Sequence, residues 1–168
     1  VKGYGVDENN PKNAQMQFDA VVKYHGNDGK NEYIQFMISF LKKTAPDAET
    51  AMDITDKALE PLKDNHQILI GGHEKHREKS DYHTHSFVGT TNLKTGKMLH
   101  PTNKLNYAIA QNVADTIQKP VALVIERKSA SDPKTSQNAY NPDQNGTSDT
   151  EMKKDFTRIF YPHNKSKD

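Results

Sequence analysis

Five of the eight histidines in this chain fall between residues 66 and 85, and three of them sit where imidazoles could hold a metal ion. His73 closes an apolar run, Gln67-Ile68-Leu69-Ile70-Gly71-Gly72, and His83-Thr84-His85 opens another that continues through Ser86-Phe87-Val88. Successive side chains of a strand alternate between faces, so His83 and His85 point one way and Thr84 the other. If the strand ending at His73 lies beside the one carrying His83 and His85, three imidazoles converge. Three protein ligands leave coordination positions open for a water or a substrate, the layout of a catalytic rather than a structural site. Imidazoles of this kind suit zinc, manganese, nickel or cobalt.

The remaining histidines have plainer expectations. His25, His66 and His163 read as solvated or internally satisfied side chains, and His76 as part of the charged segment 74–82. A zinc hydrolase with two histidines four residues apart on a helix does not fit, because His73-Glu74-Lys75-His76 is one residue too short and has no helical apolar face. A cupin-like barrel does not fit either, because Ser86 to Asn92 contains no carboxylate.

The elements that must position these residues follow from periodicity. Asn10-Pro11, with Ala14, Phe18, Val21 and Val22 behind it, predicts a capped amphipathic helix stopped by Gly26 and Gly29. Tyr33 to Phe40 is short and rich in aromatic and branched residues, hence a strand. A second helix starts between Thr44 and Asp47, carries Ala51, Ala58, Leu59 and Leu62, and ends around Pro61. The strands around His66–Gly72 and His83–Asn92 follow, then a turn at Asn92-Leu93-Lys94-Thr95-Gly96-Lys97 with a short return through Met98 and Leu99. Leu105, Ile109, Val113 and Ile117 predict a third helix, and Pro120 to Ile125 a final strand. Residues 128–150 read as a loop or disordered linker, and residues 151–168 as a short helix and tail. The expected architecture is α+β, a central, mainly antiparallel sheet flanked by helices, with residues 1–127 as the metal-binding domain. No glycine-rich phosphate loop argues for a doubly wound nucleotide fold.

Composition narrows the function classes. The 168 residues are 33% hydrophobic and 27% charged, with a formal net charge of +1, so a DNA-binding face has to come from local clustering. The absence of cysteine excludes disulfides, thiolate metal sites and thiol catalysis, and fits a reducing cytoplasm. No apolar stretch approaches the roughly 20 residues that span a bilayer.

Taken in order, the strand before His73, the charged loop, His83-Thr84-His85, Phe87-Val88 and the Asn92 to Lys97 turn resemble the third motif of plasmid mobilisation relaxases, which are HUH endonucleases. Tyr33 to Phe40, Asp47 to Lys63 and Asn103 to Gln118 resemble the elements around that motif, so the resemblance covers about residues 1–126. Thr84 is polar where the pattern has a bulky apolar residue, and Lys75 stands where a carboxylate often follows the first histidine. The resemblance implies a divalent metal on His73, His83 and His85, manganese or magnesium first, with zinc, cobalt or nickel as alternatives. It implies a nickase and strand transferase acting on single-stranded DNA at an origin of transfer through a phosphotyrosine intermediate, together with accessory mobilisation proteins. Lys94, Lys97 and Arg77 become phosphate contacts, as do Lys75, Lys79 and Lys104 around them. Val1-Lys2-Gly3-Tyr4-Gly5 resembles the segment just after the first motif, so the nucleophilic tyrosine is expected upstream of Val1, with Tyr4 the candidate inside this chain and Tyr161 and Tyr140 behind it. Two other functions are compatible with the residues: a noncatalytic nucleic-acid-binding module of the same fold, and an unrelated three-histidine metal hydrolase.

Overall fold

Alternation of large apolar and polar side chains along Tyr33–Ser39 demands a sheet with one buried face, and the computed structural model places this segment, β2, in the middle of one. The structure describes residues 1–73, 82–126, 135–139 and 155–160. Within them the chain runs β1 (Lys2–Tyr4), α1 (Pro11–Tyr24), β2, α2 (Ala48–Ala58), a 3-10 turn (Glu60–Leu62), β3 (Ile68–His73), β4 (His83–Gly89), α3 (Asn103–Ile117), β5 (Val121–Glu126), β6 (Thr135–Ala139) and β7 (Asp155–Phe160). The strands form one seven-stranded sheet in the order β1-β3-β4-β2-β7-β5-β6. Every pairing is antiparallel except β5 with β7, which makes the chain the α+β protein expected.

Helix starts follow local chemistry. Asn10 accepts from the backbone N–H groups of Lys12 and Asn13 and Pro11 opens α1, while Asp47 and Thr102 cap α2 and α3 by accepting from Thr50 and Leu105. The main core lies between α2, α3 and one face of the sheet, built from Ile34, Phe36, Ile38, Ile70, Ile109 and Leu123 with their neighbours. The opposite face carries α1 at one end: Phe18 lies against Gly89, where an added Cβ would sit 3.4 Å from the ring, and Gln67 donates to the carbonyl of Gln17 at 3.1 Å.

Two segments differ from expectation. Phe156, Ile159 and Phe160 are spaced like one face of a helix, which predicts the helix at residues 151–161, but the described part of that segment is strand β7. Its period of two is masked because the inward face carries Asp155 and Thr157 beside Ile159. Asp155 is buried yet satisfied, accepting from the Leu41 N–H at 2.5 Å and the Thr44 hydroxyl at 3.1 Å. The other correction is inside the expected linker, where Thr135–Ala139 pairs along β5 as the edge strand β6. Its polar composition hides it, because backbone pairing needs no apolar side chains.

Thr84 now has a physical account. It faces the helices, fully buried, and its hydroxyl lies 2.6 Å from that of Thr55 on α2, which itself donates to the Ala51 carbonyl at 2.9 Å. Thr55→Val should therefore cost about 1–3 kcal/mol in chemical denaturation, since it strands the Thr84 hydroxyl in the core. The double variant Thr55→Val with Thr84→Val should recover most of that loss.

Candidate metal centre

Antiparallel pairing of β3 and β4 sets His73 directly opposite His83 and Gly71 opposite His85. Residues opposite one another in such a pair share a face, so the histidines project together from the side away from α2 and α3. Their ring nitrogens supply one candidate ligand atom each, and these atoms all lie within 4.8 Å of one another. The His73 and His83 rings are stacked at 4.7 Å between centroids, and His85 meets His83 edge-on at 5.0 Å.

β2 completes the surroundings. Met37 lies opposite His85 and Ser39 opposite His83. The Gln35 amide, one step along the same face, is 3.0 Å from His85 Nδ1. The contact is made by the amide nitrogen Nε2, which donates to Nδ1 and fixes the ring; turned end for end, the amide would accept from an Nδ1–H and leave the Nε2 lone pair for a metal, the arrangement by which outer hydrogen bonds orient imidazole ligands. Burial, and secondarily the charge of His73, hold the His85 imidazole below its ordinary pKa, which favours the neutral form that ligates. Gly71 keeps the other flank clear, because a Cβ built there meets nothing within 4 Å. Three convergent imidazoles, one oriented from behind and half-buried, fit a divalent ion with open positions.

The other predicted site residues are distributed as follows. Tyr4 is opposite Ile68, on the helix face of the sheet, so it points away from the histidines. Its hydroxyl donates to Asp56 at 2.5 Å and the Lys63 ammonium lies 5.0 Å from its ring centre. The hydrogen bond to Asp56, then burial and the Asp56 charge, hold the phenol above its ordinary pKa, the reverse of what a nucleophile needs. Lys2 pairs with Asp53 and Lys63 with Asp56 at 3.1 Å, so Tyr4 belongs to a structural ion-pair cluster tying β1 to α2. Lys94 and Lys97 are exposed on the turn after β4, where the Asn92 side chain accepts from the N–H groups of Lys94 and Thr95. That turn leaves β4 at Gly89, roughly 13 Å along the strand from His85. His66 is a core histidine with Nδ1 2.8 Å from the Gly89 carbonyl. Arg77, His76, Lys75, Lys79, Tyr140, Tyr161 and His163 lie outside the described residues. Gln35 escaped the sequence reading: it is one polar residue in an apolar strand, and only the pairing of β2 with β4 brings it to His85.

A mixed sheet with α2 and α3 packed on one face, and α1 and three convergent imidazoles on the other, defines an α+β scaffold with a candidate metal site. The family model described as "Relaxase: MobA/VirD2-like, nuclease domain" matches residues 1–123, and the chain belongs to that family. Neither a curated protein nor a solved structure matches it.

Gln35→Met, which keeps volume but removes the amide, should weaken manganese binding by about 10–100-fold in calorimetric titration, with the far-UV circular dichroism unchanged. Tyr4→Phe should leave manganese affinity untouched and lower stability by about 1 kcal/mol, the worth of its hydrogen bond to Asp56.

Proposed function

We propose that the chain is the metal-binding nuclease domain of a DNA relaxase, which nicks and transfers single-stranded DNA at an origin of transfer in plasmid mobilisation or conjugation. The observation that carries this reading is the convergence of His73, His83 and His85 on one open sheet face within a chain of the relaxase family. A divalent ion there, manganese or magnesium first, would offset the charge that develops on a nonbridging oxygen of the scissile phosphate. His73, His83 and His85 hold the ion, Gln35 orients His85, and Gly71 leaves room beside it for the phosphate. Lys94 and Lys97, exposed beyond β4, contact phosphates further along the strand, with Arg77 in the same role.

In the cleavage step a tyrosine oxygen bonds to phosphorus as the bond to the 3′ oxygen breaks. The phenolic proton is lost, the departing 3′ oxygen takes one up, and the 5′ end stays covalently on the protein, so the step can run backwards. Because Tyr4 faces the helices, the tyrosine is another one, with Tyr140, Tyr161 and a residue upstream of Val1 as the candidates. The fold's placement of Tyr4 also favours a second reading, a module of the same fold that binds metal and DNA without cutting. No helix among the described residues is long and apolar enough to cross a membrane.

The test is a nicking assay on single-stranded origin DNA with manganese, comparing this chain with one extended upstream. Cleavage with covalent attachment is expected, lost when His73, His83 and His85 are changed to alanine and unaffected by Tyr4→Phe. Binding of metal and DNA without cleavage by either form would leave the noncatalytic module as the function.

A further inference from the structure

Resting on the DNA-binding reading above, we propose that the cleft between α1 and the sheet is a base-selective subsite, taking one nucleobase of the strand whose phosphate reaches the histidines. The cleft, about 250 Å³, is walled by Phe18, Tyr33, Leu69 and Phe87, and Asp19 and Glu32 are the acidic residues of its lining. This is just under the roughly 300–1,000 Å³ of pockets for drug-sized ligands, so it suits a single flat ring system.

Its position follows from strand register. Phe87 is the next residue after His85 on the same face of β4, about 7 Å further along, and Leu69 is its partner on β3. Gln35, which touches His85, lies opposite Phe87 on β2, so the metal centre and the cleft share a wall. Tyr33 meets the Phe87 ring edge-on at 5.9 Å, and Phe18 closes the cleft from α1. Aromatic rings on a sheet face are stacking partners for unpaired bases.

The carboxylates choose the occupant. Acceptor-only groups repel phosphate, which keeps the backbone toward the histidines, and they favour a base that offers amino hydrogens on its pairing edge. Cytosine presents its N4 amine to such a wall. Thymine offers only N3–H, between two carbonyl oxygens that face the same negative charge. The subsite therefore selects an amino-bearing base and discriminates against thymine. Glu32 is preset for this, since one of its oxygens accepts from the Gly29 N–H at 2.9 Å and the whole side chain is partly buried.

Fluorescence anisotropy with labelled oligodeoxycytidylate and oligodeoxythymidylate, each roughly a dozen nucleotides long, tests this on the full chain with manganese. The cytosine tract should bind roughly tenfold more tightly. Glu32→Gln combined with Asp19→Asn should erase that ratio, and both changes keep the side-chain shape. Tyr33→Ala, at a position 48% exposed and so tolerant of truncation, should weaken both tracts by removing a stacking wall. Equal affinities in the unaltered protein, or a ratio that the carboxylate changes leave alone, would overturn the subsite. If binding in those cases still falls when the three histidines are removed, the relaxase reading stands without it. Failure to bind either tract, or binding indifferent to the histidines, would remove both.

Discussion

The pairing register of β3 and β4 is the constraint on which the site depends. With His73 opposite His83, three imidazoles share a face; one residue of slip would turn the whole set of one strand toward the core. The helix side guards against that slip. Thr84 and Ser86 occupy fully buried positions between the histidines and Phe87, and Thr84 hydrogen-bonds to Thr55 on α2. Slipping β4 would bury imidazoles among Ile38, Ile70 and Ile54 and expose a hydroxyl that has a partner only where it is. The polar residue between the histidines is thus part of what holds their register.

That register divides the labour between the two faces. α2 and α3 cover one side and supply most of the apolar burial, together with the ion pairs of Lys2, Asp53, Asp56 and Lys63 that clamp the edge strand β1. On the other side α1 covers the Gly89 end of β4, and among the described residues no helix lies over the histidine end. Metal ligands, an outer hydrogen bond from Gln35 and an aromatic cleft then follow one another along a single surface. Tyr4 falls on the wrong side for chemistry for the same reason that it is well placed for stability: the residue opposite it, Ile68, points into the core.

β7 extends this scheme beyond the residues that match the family. It lies between β2 and β5, and its parallel pairing with β5 interrupts an otherwise antiparallel sheet. The cost of burying Asp155 at its start is offset by two hydrogen bonds to the segment that follows β2. Phe156 and Arg158 project on the histidine face, in the rows of His83 and His85 respectively.

The sequence by itself determined the pieces that have strong periods. Alternation around His83 and His85, the apolar run before His73, the capped helix at Asn10 and the amphipathic spacing of the two later helices are local properties, readable because side-chain direction follows backbone period. The likeness to relaxases rested on the same local residues. What only the tertiary structure decided is everything that depends on which strands are neighbours. Phe156, Ile159 and Phe160 satisfy a helical spacing until β2 and β5 offer backbone partners on both sides. Thr135–Ala139 has no apolar signal, and its strand exists through hydrogen bonds to β5. Gln35 meets His85, and Tyr4 turns from it, through pairings between residues about 50 and 64 positions apart, distances over which a local period carries no information.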